Sequence, residues 1–360
     1  MEVSARNNNI ELLRIVTIIT IILYHVVDKG IADPDSVNNM ALGLRKVILQ
    51  FIDTWGGVGN NIFFIITAYY SSGIYSLYDK TPIFEKQKKK IVMIELQMLF
   101  YSISLTMIGF FILGVRPSEE ILVKTVFPFI TGMWWYPTAY IIFLLLQPFI
   151  DTLLDVLKRE LHLKLCWILI IMWSVMAMMP GASLYNNELT TFIEIYILIS
   201  YIKKYASSNI FENNSLKIFG GLTVINILGI LVMDYLWGKT GLVLFANYCK
   251  ILSIGNNKLL TLLLAYSCFC IFNKKVSIKN TVVNNVISVI APTTMGIYLF
   301  HMHPILEDYI FKGLFPNLMT VEPGKFIFVI VLGTLVIFTT AVVFEKIRHA
   351  LFKEIGRIIK

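Results

Sequence analysis

The sequence predicts an all-α protein, a polytopic bundle of about ten transmembrane helices with both termini in the cytoplasm. Of its 360 residues, 57% are hydrophobic, and the mean hydropathy is +0.72. Only 15% of the residues are charged, whereas a soluble domain averages about 25%. The apolar residues also form separate runs divided by short basic loops, which is typical of a chain that crosses a membrane many times.

The predicted spans follow the apolar runs in order, most of them near the length of about 20 residues that crosses a bilayer. They cover residues 10–27, 58–75, 91–113, 134–154, 163–179, 191–201, 216–236, 259–272, 286–305 and 326–344. A polar, amphipathic stretch at 28–55 precedes the second span, and a basic amphipathic tail at 346–360 is expected to lie on the cytoplasmic membrane surface. Since neither a repeat nor a separable soluble region is visible, we expect residues 1–360 to form a single integral-membrane domain. The first run lacks a small-residue cleavage site, so a retained helix is expected.

The distribution of basic residues supports this topology. With the N-terminus inside, 20 of the 31 Lys and Arg residues lie in cytoplasmic segments and ten on the opposite side, as the positive-inside rule predicts. The net charge of +8 is scattered over these loops, so no nucleic-acid partner is expected. The four cysteines show no CxxC spacing, so we expect neither a metal site nor a disulfide framework.

The first span carries a charged and a titratable residue, Arg14 and His25. Eleven residues of helix place them within about 20° of the same direction and about 16 Å apart along the axis. Such groups inside a membrane usually face a bundle interior or a wet cavity. His25 is suited to take and return a proton, and Arg14 to hold a phosphate or a carbonyl. Glu11 lies one turn before Arg14 and is expected to neutralise it. The alternative is that Arg14 snorkels to the lipid surface and His25 caps the far end.

A second candidate constellation is GGVGNNIFFIITAYY, residues 56–70. Three glycines followed by Asn60 and Asn61 predict a helix with an irregular start, where free backbone N–H groups bind an anion or a carbonyl. For the two asparagines, substrate binding and helix packing have about equal weight. For the small residues that follow, Thr67 and Ala68, tight helix contact is the favoured interpretation.

The third constellation is TTMGIYLFHMHPIL, residues 293–306. His301 and His303 are predicted near the outer end of the ninth span, with Tyr298 one turn before His301. Because residues two apart on a helix point in different directions, the HxH pattern is weak evidence for a metal. We interpret these residues as the rim of an acceptor site, and Trp135 of the fourth span as a face on which a sugar ring stacks. An interfacial belt of aromatic and histidine side chains is the alternative.

Four stretches, taken together, resemble the signatures of membrane acyltransferase family 3. They are NIELLRIVTIITIILYHV, GVGNNIFFIITAYY, WWYPTAYIIFLLLQPFI and GIYLFHMHPIL, in the order and spacing of that family. The segment FIEIYILISYIKKY also resembles its short sixth span. Where the family has Ser-Gly in the second span, this chain has Thr67-Ala68, which keeps a hydroxyl and loses the glycine.

The resemblance implies ten transmembrane helices in a bacterial-type plasma (inner) membrane and the transfer of an acyl group to a hydroxyl of a surface polysaccharide or a lipid-linked glycan. It implies cytoplasmic acyl-CoA, usually acetyl-CoA, as the donor substrate, with no permanently bound cofactor. The family's essential arginine and histidine match Arg14 and His25, which are the expected catalytic residues, and its later histidine matches His301. The expected substrate-binding set is Glu11, Asn60, Asn61, Trp135, Tyr298, His301 and His303. The extracytoplasmic hydrolase-like domain that some members carry is not expected here.

Two other classes of function remain open at this stage. A multi-pass transporter or flippase of a glycan or lipid precursor also has many spans and buried polar groups, but it usually shows repeats and interrupted helices. A non-catalytic membrane sensor is the other alternative. Binding of acyl-CoA distinguishes the enzyme from both, and membrane lipid is the expected surrounding in every case.

Overall fold

The computed structural model describes residues 7–73, 83–182, 184–206, 210–313, 315 and 322–358. Within these ranges every regular element is a helix, which confirms the predicted all-α class. The helices are α1 (Asn8–Gly30), α2 (Pro34–Asn39), α3 (Leu44–Ser71), α4 (Ile83–Phe111), α5 (Glu119–Val126), α6 (Trp135–Val156), α7 (Arg159–Leu169), α8 (Glu188–Tyr205), α9 (Ile210–Thr240), α10 (Val243–Ser253), α11 (Leu259–Lys274), α12 (Thr281–Ile290), α13 (Thr294–His301), α14 (Pro304–Glu307) and α15 (Pro323–Ile358). Short π-helical and 3₁₀ segments continue α7, and others join α12 to α13 and follow α14.

The chain folds into two compact units. Unit 1 comprises Met1–Ile31, Lys89–Thr138 and Ile278–Lys360, and unit 2 comprises Ala32–Lys88 and Ala139–Ser277. The expectation of one integral-membrane domain concerns folding and function, and it stays a prediction.

Seven helical segments are long and apolar enough to cross a membrane, judged by length and composition in the described part of the chain. They are Asn8–Gly30, Phe84–Phe111, Trp135–Val156, Arg159–Met178, Ile210–Thr240, Thr281–His301 and Gly324–Glu354. These segments coincide with seven of the predicted spans. The other three predicted runs, 58–75, 191–201 and 259–272, overlap α3, α8 and α11. Of these, α11 is an apolar helix that is shorter than the seven candidate spans. The total of about ten spans and the cytoplasmic termini stay predictions.

Two helices extend beyond the spans predicted in them. The second predicted span, which begins at residue 58, lies within α3, one continuous helix of 28 residues from Leu44 to Ser71. The last predicted span, which ends at residue 344, lies within α15, which continues as one helix to Ile358. Up to Ile358 the predicted tail is therefore helical and continuous with the last span, and its place on the membrane surface stays a prediction. With 36 residues, α15 is about 54 Å long, more than the hydrocarbon core of about 30 Å requires.

In unit 1, α1 lies against α12, α13 and α15. The helix begins where the side chain of Asn7 accepts a hydrogen bond from the backbone of Asn9, a standard N-cap. Its inner face is apolar, and Ile15 packs on Ile287 and Ala291 in a buried cluster. This packing fixes the rotation of α1, and so it decides which of its polar residues face the interior.

In unit 2, α3 packs against α8 and α11, and α9 against α10 and α11. Gly57 on α3 lies so close to the loop after α10 that an added Cβ would be 2.6 Å from the carbonyl oxygen of Gly255. Close approach of helix and loop backbones is the use of small residues that membrane packing favours.

Candidate active site

The first polar group of unit 1 is the Glu11–Arg14 pair on α1. Nη1 of Arg14 lies 3.7 Å from Oε1 of Glu11, one helical turn before it. This confirms the prediction that Glu11 neutralises Arg14. Glu11 is buried, whereas about a third of the Arg14 side chain is exposed. Nε of Arg14 is buried and has no acceptor among the residues that the structure describes.

The second group is a pair of buried histidines from different helices. Nδ1 of His25 on α1 lies 3.2 Å from Nε2 of His301 on α13. The other ring nitrogen of His301, Nδ1, lies 2.6 Å from the backbone oxygen of Ile297. His301 is fully buried and His25 is 8% exposed. The two histidines that the sequence singled out are therefore in direct contact.

These contacts determine the tautomers of the two neutral rings. A carbonyl oxygen only accepts, so Nδ1 of His301 carries the proton and donates it to Ile297. Nε2 of His301 is then an acceptor, and Nδ1–H of His25 donates to it. The lone pair of His25 consequently lies on Nε2, the nitrogen directed away from His301. A histidine whose tautomer is held in this way is arranged as a proton acceptor.

Aromatic rings surround this pair within unit 1. The Tyr298 ring centroid lies 5.9 Å from that of His301, nearly perpendicular to it. Trp135 and Tyr136, at the start of α6, lie 6.4 Å and 5.7 Å from Tyr298. Phe311, fully buried, lies 6.4 Å from His25. The structure thus places Tyr298 against His301 and Trp135 against Tyr298, and their role as the rim of an acceptor site stays a prediction.

His303 has different contacts from its neighbour His301. Its Nδ1 accepts a hydrogen bond from the backbone of Ile305 and so caps α14. Its Nε2 lies 3.4 Å from the hydroxyl of Thr106, and its ring lies 5.9 Å from that of Trp134. Both ring nitrogens are engaged by the protein, so the geometry gives His303 a local structural role. Among the described residues, no group of three or more His, Cys, Asp or Glu side chains is placed to hold a metal.

Asn60 and Asn61 belong to unit 2, where they lie in the middle of α3. The prediction that the preceding glycines open a helix with free N–H groups was wrong, because these glycines are part of a continuous helix. The two side-chain amides bond to the same residue. Asn60 donates to Oδ1 of Asn256 at 3.0 Å, and Asn61 to the backbone oxygen of Asn256 at 2.7 Å. They hold a loop to α3, and their expected role in substrate binding stays a prediction.

Unit 1 also contains a buried ion cluster that the sequence motifs did not indicate. Glu345 on α15 is paired with Arg348 through two hydrogen bonds of 2.8 Å and 2.6 Å. The same carboxylate accepts from Tyr101 at 2.7 Å and from Gln97 at 3.2 Å, both on α4. It lies against Gly296 on the helix that carries His301, where a Cβ would collide with it. The available signal was the Glu-x-x-Arg spacing in the region assigned to the start of the tail.

A family model matches most of the chain. The family model described as an acyltransferase domain, that of acyltransferase family 3, matches residues 7–345. No curated protein and no solved structure matches the chain. The matched range contains both histidines of the pair and the Glu11–Arg14 pair.

Proposed function

Because the matched range spans nearly the whole sequence, the chain belongs to membrane acyltransferase family 3, and we propose that it is an O-acyltransferase that modifies cell-surface carbohydrate. Its seven apolar segments and its family make it a multi-pass membrane acyltransferase. The proposed donor is acyl-CoA, most simply acetyl-CoA, from the cytoplasm. The proposed acceptor is a hydroxyl of a surface polysaccharide or of a lipid-linked glycan. Membrane lipid surrounds the protein in a bacterial-type inner membrane, and no cofactor is permanently bound.

The observation that carries this proposal is the hydrogen-bond chain from His25 through His301 to Ile297. It supports a general base at Nε2 of His25, since transfer to a hydroxyl requires removal of the hydroxyl proton. In the proposed step, Nε2 takes that proton while the acceptor oxygen attacks the thioester carbonyl carbon. The carbon–sulfur bond then breaks, and the CoA thiolate leaves and takes up the proton. The products are the O-acyl ester and free CoA.

Arg14 is proposed to hold the donor. Its guanidinium is permanently charged and well suited to phosphate groups. Its separation from His25, about 16 Å along one helix, is suited to a donor whose charged diphosphate and reactive thioester lie at opposite ends of a linear arm. In the predicted topology, Arg14 is in the cytoplasmic half of α1, on the side from which acyl-CoA enters.

The acceptor is proposed to bind beside Trp135, Tyr298 and His301. Aromatic faces stack on sugar rings, and the ring contacts of Tyr298 with Trp135 and His301 support a wall of this kind. None of the described contacts favours transport over transfer.

The test uses purified protein in nanodiscs with acetyl-CoA labelled on the acetyl group. We would measure CoA release and label transfer to isolated cell-envelope glycans, for wild type and for His25→Ala and Arg14→Ala. Both variants are expected to insert normally and to lose transfer, His25→Ala by on the order of 10²- to 10⁴-fold. His349→Ala is the matched control, because His349 is an exposed histidine on α15.

Three results are informative. Transfer by wild type and by His349→Ala, with loss in the other two variants, supports the enzyme and both residue roles. Wild-type rates in the His25→Ala variant would contradict the assignment of the base. Absence of both binding and turnover with acetyl-CoA and with longer acyl-CoAs, for any glycan, would overturn the proposed function and favour transport.

A further inference from the structure

Between Arg14 and His25, α1 carries a buried hydroxyl that the proposed mechanism does not use. Thr17 is 1% exposed, and its Oγ1 has no hydrogen-bond partner among the described residues. Thr20, three residues later on the same helix, is ordinary in this respect, since its hydroxyl donates to the backbone oxygen of Thr17 at 2.8 Å. The two threonines therefore differ in the direction of the hydroxyl, although they share a helix.

A threonine in a helix normally satisfies its hydroxyl locally, on the carbonyl three or four residues before it. Six other helical threonines of this chain donate to the carbonyl four residues before them. They are Thr54, Thr125, Thr152, Thr223, Thr240 and Thr334. Leaving a buried hydroxyl unpaired is unfavourable, and no water competes for it in a hydrocarbon surrounding. The orientation of Thr17 thus calls for a partner that is not part of its own helix.

A second unpaired polar atom lies one turn away. Nε of Arg14 is buried and lacks an acceptor in the described ranges, although Nη1 pairs with Glu11. Three residues of helix separate Arg14 from Thr17 by about 4.5 Å along the axis and by about 60° around it. His25 lies about 12 Å further along. The two residues therefore lie on one side of α1, with Arg14 at the proposed diphosphate end of the donor and Thr17 one turn nearer to His25.

The chemistry of the two atoms identifies the group that fits them. A guanidinium N–H only donates, whereas a hydroxyl both donates and accepts. A planar group that offers an acceptor and a donor side by side satisfies both, and an amide is such a group. The linear arm of CoA contains two amides between its diphosphate and its sulfur.

We infer that Thr17, together with Nε of Arg14, forms a subsite for an amide of the CoA arm, which aligns the arm along α1 toward His25. This inference rests on the proposed function, since it assigns a binding role within the same donor site. Thr17 is a binding residue in this scheme and takes no part in bond making or breaking.

The test compares Thr17→Val with Thr20→Val in nanodiscs. The two variants make the same isosteric change of hydroxyl to methyl on the same helix. We would measure the equilibrium binding of labelled CoA, with no turnover needed, and the KM for acetyl-CoA. Thr17→Val is expected to raise the Kd and the KM about tenfold, the effect of roughly one hydrogen bond. Any decrease in kcat/KM is expected to come mainly from KM and less from kcat. Thr20→Val is expected to bind as wild type does.

Adenosine 3′,5′-bisphosphate, which lacks the arm, serves as the second probe. Its binding is expected to be the same in Thr17→Val and in wild type, because it offers no amide to the subsite. If Thr17→Val weakens this nucleotide as much as it weakens CoA, or if it binds CoA as wild type does, the inference is overturned. Should Thr17→Val fail to fold, Thr17→Ser and Thr17→Ala replace it, and only the serine is expected to keep CoA affinity. A wild-type protein that binds no CoA at all would instead overturn the proposed function, a result separate from both of these.

Discussion

The two compact units both bury polar groups, but they use them differently. In unit 1 two hydrogen bonds join Ile297, His301 and His25 in a chain that ends on Nε2 of His25, a nitrogen with a lone pair that no donor occupies among the described residues. In unit 2 the buried lysine, Lys46, is held by protein acceptors. Nζ of Lys46 lies 2.8 Å from Asp234 and donates to the backbone oxygen of Asn38 at the same distance. The charge of Lys46 is therefore satisfied within the protein, whereas Nε2 of His25 is left to accept a proton.

The difference is clearest for α9, which belongs to unit 2. Of its 31 residues only four are buried, and three of these are polar, namely Ser215, Asn226 and Asp234. Nearly all of its apolar side chains are exposed or half-buried, as expected for a helix that faces lipid. Polar bonds therefore hold this helix to α3 and α10, with Asn226 accepting from Thr54 and donating to the backbone of Leu252. Interhelical hydrogen bonds of this type stabilise packing in membranes.

After the loss of His25 itself, the largest expected effect on activity concerns His301 in unit 1. His301→Ala removes the acceptor for Nδ1–H of His25, so the tautomer that leaves the lone pair on Nε2 is no longer favoured. We expect kcat for acyl transfer to fall by about 10²-fold, at the lower end of general acid–base effects. The measurement is steady-state transfer of labelled acetyl groups in nanodiscs, with insertion checked by yield and thermal unfolding.

His301→Gln distinguishes positioning from simple loss of packing. Its side-chain oxygen accepts a hydrogen bond, so it is expected to retain more activity than the alanine variant at equal stability. Wild-type kcat in His301→Ala would show that the pair has no role in the reaction, and equal losses in both variants would favour a packing role.

The sequence predicted the components of this site better than their connections. The helical spacing of α1 placed Arg14 and His25 on one side, because that relation depends only on local geometry. The contact of His25 with His301 joins residues 276 positions apart, which spacing alone does not reveal. The same holds for Glu345, whose buried pairing with Tyr101 and Gln97 depends on how α15 packs on α4. The glycines before Asn60 misled the interpretation, since a glycine-rich sequence fits both a helix start and a close helix contact.

The second prediction concerns the buried ion pair of unit 2. Lys46 and Asp234 are 2% and 3% exposed, so removing one partner leaves the other charge buried. Lys46→Met is expected to lower the free energy of unfolding by about 3–5 kcal/mol. Chemical denaturation in mixed micelles measures this. The double variant Lys46→Met/Asp234→Leu is expected to recover much of the loss, because it removes both charges.

This prediction also tests the contrast between the units. If Lys46→Met lowers kcat while the unfolding free energy is unchanged, the ion pair takes part in the reaction. The difference in role between the two units would then not hold. If the double variant is no more stable than the single one, the loss reflects packing of the lysine stem rather than an unpaired charge.

The third prediction uses two glycines of unit 2. Gly57→Ala places a Cβ 2.6 Å from the backbone oxygen of Gly255, and a backbone atom cannot move aside as a flexible side chain does. A loss of about 1–3 kcal/mol in the free energy of unfolding is expected. Gly220→Ala on α9 is the matched control, since no atom lies within 4 Å of the added Cβ. There the higher helix propensity of alanine is expected to stabilise by up to about 1 kcal/mol. Equal effects at the two positions would show that α3 does not depend on this close contact.

The smallest expected effect decides whether Asn60 and Asn61 support the fold or the substrate. Each donates one hydrogen bond to Asn256, so each change to alanine is expected to cost about 0.5–1.5 kcal/mol of stability. A double-mutant cycle of Asn60→Ala with Asn256→Ala isolates the bond between the two side chains, since Oδ1 of Asn256 is its acceptor. With a structural role, the coupling energy is measurable and the KM values for donor and acceptor do not change. A KM that rises several-fold in Asn60→Ala but not in Asn256→Ala would return these residues to the substrate site. Unit 2 would then also contribute chemistry, and the contrast with unit 1 would be one of degree.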